Sequence, residues 1–581
     1  MIVAEAVGGL LAAAGVRAAF GVVGSGNFHL TNALVSHGVR FVAARHEGGA
    51  ATMADAYARM TGEVAVVSVH QGPGLTNAIT GLAEAAKSRT PLVVLAGEAT
   101  DARSNFHIDQ DAAVRAVGAV PMRVTGPAEA ARHTLEAFRV ARDERRTVVL
   151  NLPLDVQAAE TELGGERPER AAGTELGGER PERAAGTGPG GERPDYAGAS
   201  ELDRAAAAVR ESRPGAPAAS AEQLDGLRRL LDGAERPVFV AGRGARHARA
   251  ELVELAERTG ALLATSAVAK GLFRGSPWDL DVSGGFATPL TAELVRGADL
   301  VVGWGCALNM WTTRHGSLIG PGAKVAQVDL DLAAVGLHVP ADHGVVGDVA
   351  EVARALTAGG ERAGYRSPEL ARRIREEGRW RAVPYHDESG GGRIDPRTLT
   401  IGLDDLLPAE RIVATDSGNF MGYPAMFLDV PDERGFCFTQ AFQAVGLGLA
   451  TAIGAAVARP DRLPVAALGD GGAFMGIAEL ETVVRLGLPM VVVVYDDEAY
   501  GAEVHHFGPH GHPLGTVRFP PADLAAIARG YGFAAVTVTG PADLAGVAEW
   551  LKGPRERPLL VHAKVTGDRP SWWLEEAFKG H

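Results

Sequence analysis

L-G-D-G-G-A-F-M-G-I-A-E-L-E-T-V-V-R-L-G-L-P-M-V-V-V-V-Y-D-D-E-A-Y-G-A-E, residues 468–503, is the stretch on which the fold turns. Val465 to Leu468 is a short apolar run that predicts a buried strand, and the turn Gly469-Asp470-Gly471-Gly472 follows it. Ile477, Leu480, Val483 and Val484 then recur on one helical face, with Glu479 and Glu481 off it. Met490 to Val494 is a second β-branched strand that runs into Asp496-Asp497. Two parallel strands joined by a helix put both strand ends on the same edge of the sheet. Asp470 and Asp497, 27 positions apart (497−470), therefore fall side by side at the carboxyl edge, where open α/β sheets bind ligands. Paired carboxylates there suit a hard divalent cation. The small Gly471 and Gly472 let backbone N–H groups approach phosphate oxygens. A lone Gly-Asp-Gly in a chain with 75 glycines is a tight turn and no more; the strand–turn–helix–strand setting and the second aspartate give it chemical content.

Outward from this unit, 581 residues exceed one core and predict three domains. The balance of 57 Lys and Arg against 71 Asp and Glu, a net charge of −14, argues against nucleic acid or an anionic membrane as partner. Only Cys306 and Cys437 are present, too few for a disulfide framework and consistent with a reducing compartment. The first residues carry Glu5 and no basic run, which predicts an amphipathic helix rather than a signal peptide. No apolar run approaches the ~18 residues of a membrane span. A cytoplasmic enzyme acting on a small molecule is the expectation.

Alternating helical and β-branched segments predict an α/β protein of three doubly wound, mostly parallel-sheet domains. Residues 1–158 form the first, with strands expected at Ala18–Val23, Phe41–Ala44, Val64–Val69, Leu92–Leu95 and Thr147–Leu150. Its most informative piece is R-H-E-G-G-A-A-T-M-A-D-A-Y-A-R-M-T-G, residues 45–62, where Glu47 stands at a strand-to-helix boundary packed with small residues. Residues 159–222 hold T-E-L-G-G-E-R-P-E-R-A-A-G twice in tandem, from Thr161 and Thr174, with a degraded copy from Thr187. With one Leu per repeat this predicts a disordered linker, with a short helix at Glu201–Arg210. The central domain spans 223–362, with strands at Pro237–Ala241, Ala261–Thr265, Leu300–Gly303 and Lys324–Val328. Its Gly-Arg-Gly-Ala at 242–245 lacks the full G-x-G-x-x-G of a dinucleotide loop. A linker, 363–394, leads to the last domain, 395–567, and a C-terminal tail, 568–581. There the strand Ile412–Thr415 ends at Gly418 and Asn419, a turn suited to a diphosphate, and F-T-Q-A-F-Q-A-V-G-L-G-L-A follows at 438–450.

In combination and in order these segments resemble the thiamine-diphosphate-dependent enzymes of the acetolactate synthase and benzoylformate decarboxylase-like superfamily. The resemblance implies that Asp470, Asp497 and the carbonyl of Ala499 hold Mg2+, with Gly418, Asn419, Gly471, Gly472 and Tyr500 around the coenzyme. The family's commonest pattern has Asn-Asn where this chain has Asp496-Asp497, which adds negative charge. Glu47 matches the residue that hydrogen-bonds the aminopyrimidine and makes the C2 ylid accessible. Val445 matches the apolar prop that bends the coenzyme, and Gln443, usually Gly, offers the carbonyl for its 4′-amino group. By the same resemblance Ser25 binds a substrate carboxylate, and His70, in V-H-Q-G-P-G-L-T-N, relays protons. His107 stands where acetolactate synthases carry Gln. Glu503 stands where pyruvate decarboxylase-like members carry a catalytic Glu, and His506 where acetolactate synthases carry a substrate-selecting Trp.

FAD occupies the central domain of some acetolactate synthase relatives. The segments 283–288 and 303–311 do not match the flavin-contacting ones, so a spacer domain is expected here. The implied reaction is decarboxylation of a 2-oxo acid with transfer of the acyl carbanion equivalent to an acceptor carbonyl. The alternatives are release of an aldehyde by simple decarboxylation, and a non-catalytic cofactor-binding assembly partner, against which Glu47 argues. A homodimer or homotetramer is implied.

Overall fold

The computed structural model describes residues 1–161, 201–212, 215–358 and 361–577. The tandem repeat, read as a disordered linker, lies outside the described residues beyond Thr161. The chain forms two compact units. One comprises Met1–Val42, Glu63–Asn77 and Pro91–Arg213; the other comprises Ala43–Gly62, Ala78–Thr90 and Pro214–His581. The helix Glu47–Thr61 (α1) and most of the helix Pro73–Lys87 (α2) thus cluster with the second unit, although they are crossovers of the N-terminal sheet.

Three six-stranded, all-parallel sheets carry the fold. The first has β1 (Ala18–Gly21), β2 (Arg40–Ala43), β3 (Ala65–Val69), β4 (Leu92–Glu98), β5 (Val120–Arg123) and β6 (Thr147–Pro153), in the order β2-β1-β3-β4-β6-β5. The second has β7 (Pro237–Ala241), β8 (Leu262–Thr265), β9 (Asp279–Val282), β10 (Leu300–Trp304), β11 (Lys324–Asp329) and β12 (His343–Val346), ordered β12-β11-β10-β7-β8-β9. The third has β13 (Arg411–Thr415), β14 (Phe436–Phe438), β15 (Leu463–Gly469), β16 (Val491–Asp496), β17 (Ala534–Val538) and β18 (Leu559–Lys564), ordered β14-β13-β15-β16-β18-β17. The first and third sheets share one strand order. Their inner strands are buried on both faces, as parallel sheets require, so they read as continuous Val, Leu and Ala runs.

In the first unit, Leu10 and Leu11 of an N-terminal helix pack with Val66, Val93, Leu95 and Leu150. Within the segment read as a linker, the helix Glu201–Glu211 puts Ala206 into this same core. In the second unit, the core of the third sheet takes in Trp573 and Leu574. Trp573 is 4% exposed, so the stretch read as a tail is in part a packed element.

Candidate coenzyme site

The third sheet reverses its order between β13 and β15, and both strands end in turns at that switch point. After β13 the chain passes through Asp416 to Gly418, whose φ of +139 is open to glycine and strained for other residues. Asn419 follows, held by its neighbours: its carbonyl accepts from Ser571 Oγ at 2.7 Å and from the Trp573 indole N–H at 3.2 Å. After β15 the helix Asp470–Met475 begins at once, and β16, paired to β15, delivers Asp497.

Asp416 is fully buried, and its carboxylate accepts the N–H of Ser417 at 2.8 Å and of Gly446 at 3.0 Å. Burial pushes its carboxyl up to about 6 against those donors. A Cβ added at Gly472 would run into this carboxylate and come within 3.4 Å of Val445 Cγ1. Gly471 stands likewise against the Tyr500 ring, and Gly501 against Asp497 and Asn419. The turns after β13, β15 and β16 and the loop before the helix Gly448–Ala458 therefore converge on one small volume. Val445 is 41% exposed on it, and Gln443 adopts φ +62, which explains why glycine suits that position.

Asp470 is buried, and burial followed by the charges of Asp497 and Asp496 pushes its carboxyl up to about 8. Asp497 is pushed up to about 6, chiefly by burial, although the Ala499 N–H and the Asn419 side chain support its charge. Among the described residues no lysine, arginine or histidine pairs with either one. Asp496 is different: His562 Nε2 lies 2.6 Å and Lys564 Nζ 2.7 Å from its Oδ2. The Asp-Asp departure is thus compensated at its first position and left open at its second. Among the described residues no cluster of three or more His, Cys, Asp or Glu could hold a metal alone. Two unneutralised carboxylates beside a glycine-lined gap fit a magnesium ion whose remaining ligands are carbonyl, phosphate and water oxygens.

Glu47 occupies the first turn of α1 and is half-buried. Glu479, expected off the buried face of its helix, is 3% exposed instead. Its Oε1 accepts the N–H of Arg45 at 3.0 Å and of His46 at 3.1 Å, and its Oε2 accepts Thr482 Oγ1 at 2.6 Å. The donors that a helix start leaves unpaired explain its burial. They lie more than 430 residues away in sequence, so no local pattern could reveal the contact.

Family models match most of the chain. The thiamine pyrophosphate enzyme N-terminal TPP binding domain matches residues 1–115, the central domain 224–356 and the C-terminal TPP binding domain 416–563. The chain is a thiamine pyrophosphate enzyme. Among its relatives, a sulfoacetaldehyde acetyltransferase of Castellaniella defragrans is 28% identical over 539 residues, covering 87% of this chain and 82% of that one. A probable acetolactate synthase large subunit of Methanocaldococcus jannaschii is 27% identical, covering 93% and 88%. The solved structure of a Rhodococcus jostii thiamine diphosphate-dependent 4-hydroxybenzoylformate decarboxylase has the same fold. Its TM-score is 0.76 at 22% identity, covering 97% of this chain and 99% of that one.

The remaining candidates of this thiamine pyrophosphate enzyme divide between the two units. In the first, Ser25 Oγ lies 3.3 Å from His70 Nε2, and His70 Nδ1 lies 3.0 Å from the Gln71 carbonyl. A carbonyl only accepts, so Nδ1 carries a proton and Nε2 is the ring atom that faces the serine hydroxyl. Phe106 packs edge-on against His70, with ring centroids 5.2 Å apart. His107 is exposed and turns its Nδ1 to the Ala99 carbonyl at 2.8 Å. In the second unit Glu503 and His506 lie on the short helix Gly501–Phe507, both half-buried, and the His506 ring meets Phe507 edge-on. In the central domain the N–H of Gly242 is bonded to the Trp304 carbonyl at 2.9 Å and that of Gly244 to the Gly305 carbonyl at 3.1 Å.

Proposed function

We propose that this thiamine pyrophosphate enzyme uses thiamine diphosphate and Mg2+ to decarboxylate a 2-oxo acid and pass the acyl unit to an acceptor carbonyl. The observation that carries the reading is the pair Asp470 and Asp497, with no cationic partner among the described residues and with Gly472 and Gly501 closing on their surroundings. When bound, the coenzyme supplies a carbon nucleophile for the 2-oxo group and a sink for the electrons freed as CO2 leaves. Asp470, Asp497 and the Ala499 carbonyl would hold the cation, and Gly418, Asn419, Gly471, Gly472 and Tyr500 would surround the diphosphate. Val445 would prop the coenzyme, the Gln443 carbonyl would accept from its amino group, and Glu47 would hold a proton on the pyrimidine. Glu503 and His506 would face the substrate.

The Ser25–His70 pair favours a second reading, release of an aldehyde. A serine hydroxyl bonded to an imidazole can bind a carboxylate and return a proton, which diverts the acyl unit from an acceptor. We infer a central domain without FAD, because the Gly242 and Gly244 N–H groups that a dinucleotide would need are already bonded. A cytoplasmic homodimer or homotetramer completes the proposal. The test is CO2 release by the purified protein, supplied with thiamine diphosphate and magnesium, from a panel of 2-oxo acids with and without an acceptor aldehyde. Acceptor-dependent ligation product supports the first reading, and aldehyde regardless of acceptor supports the second. No turnover, together with Glu47→Gln binding coenzyme as the wild type does, would favour a non-catalytic partner.

A further inference from the structure

A buried ionic cluster lies away from the carboxylates of the proposed cation site and within the second unit. Arg59, one turn beyond Asp55 on α1, has a side chain only 5% exposed, and those of Asp55 and Glu84 are 0% exposed. Arg59 Nε donates to Asp55 Oδ1 at 2.9 Å, one amino group donates to Glu84 Oε1 at 2.7 Å and to Ser88 Oγ, and the other donates to the Phe438 carbonyl at 2.8 Å. Glu84, on α2, then turns to the main chain: Oε1 accepts the Ala441 N–H at 3.0 Å and Oε2 the Phe442 N–H at 2.6 Å. At the other side Asp416 accepts the N–H of Gly446. Residues 443–445 are therefore strung between two buried carboxylates. Gln443 sits in the left-handed region at φ +62, a conformation that persists for such a residue only where its surroundings over-determine it.

We infer that Glu84 is a positioning residue that, with Arg59, holds the Gln443 carbonyl and the Val445 side chain where the coenzyme meets them. The inference rests on the coenzyme reading above and adds a residue that touches neither coenzyme nor substrate. A buried carboxylate with both oxygens on backbone N–H groups fixes two successive peptide planes. Loss of that grip frees the next residue, Gln443, to leave its strained conformation and shifts the carbonyl it presents.

The test compares wild type with Glu84→Gln, which keeps the shape and loses the charge, and Glu84→Asp, which keeps the charge and withdraws the oxygens from the loop. Melting temperature, thiamine diphosphate affinity by calorimetry with excess Mg2+, and exchange of the coenzyme's C2 proton for deuterium at saturation are measured for each. The expected result is C2 exchange slower by about tenfold or more, as misplacement of a reacting group entails, in at least one variant that melts close to the wild type. Exchange and affinity within twofold of wild type in every folded variant would overturn the inference. Collapse of the fold in both variants would also overturn it, marking the cluster as structural only. A wild type that binds no coenzyme would instead remove the proposed function, an outcome readable before any variant is made.

Discussion

At the scale of single residues, the electrostatics of the candidate site concentrate in three aspartates that behave differently. Asp496 has its charge secured by His562 and Lys564, whereas Asp470 and Asp497 have theirs opposed by burial. Asp470, with a folded pKa of about 8 against an unfolded value near 3.8, binds its proton more tightly when folded. Its contribution to stability is therefore fully present below the unfolded value and is lost as pH rises toward 8. In metal-free protein, the melting temperature of wild type relative to Asp470→Asn should fall between pH 5 and pH 8, and Mg2+ with thiamine diphosphate should abolish the trend by replacing the proton. A difference that rises with pH would refute the assignment. Asp496→Asn restores the family's usual residue but strips His562 and Lys564 of a charged partner. It should lower unfolding stability by about 1–3 kcal/mol in urea titrations while leaving coenzyme affinity nearly unchanged.

At the scale of elements, close approach is what the glycines provide. Gly472→Ala drives a methyl group toward Asp416 and Val445, and should weaken thiamine diphosphate binding by about tenfold or more in calorimetry while costing about 1–3 kcal/mol of stability. Glu479→Ala orphans the Arg45 and His46 N–H groups at the start of α1, for about 2 kcal/mol of stability in the same titrations. These elements differ in how far the sequence discloses them. β15 and β16, buried on both faces, are plain Val and Ala runs, and the turn after β15 stands out as Gly-Asp-Gly-Gly. β5 carries Pro121 and lies half-exposed at a sheet edge, and β12 and β17 are edge strands of mixed burial, so none has a clean period of two. Glu47 and Val445 stand out as candidates because they sit in dense local patterns. Glu479 and Glu84 are not, because each looks like a solvated helix charge until its distant backbone donors are in place.

At the scale of the molecule, two of the three sheets repeat a single strand order, and the third sheet gathers the candidate cation and diphosphate residues at its switch point. Ligand that binds only the folded chain raises stability by about 2.7 kcal/mol at a hundred times its dissociation constant. Thiamine diphosphate and Mg2+ added together should therefore raise the melting temperature by several degrees, and either one alone much less, because each supplies ligands to the other. Equal shifts from the coenzyme alone, with chelator present, would argue against a metal held through Asp470 and Asp497. The placement of Trp573 has a practical corollary. Its indole donates to the carbonyl of Asn419 while packed among other rings, so a change at that turn alters the polarity around one chromophore. On titration with thiamine diphosphate and Mg2+, the difference in emission between wild type and Trp573→Phe should read the filling of the turn without any labelled compound.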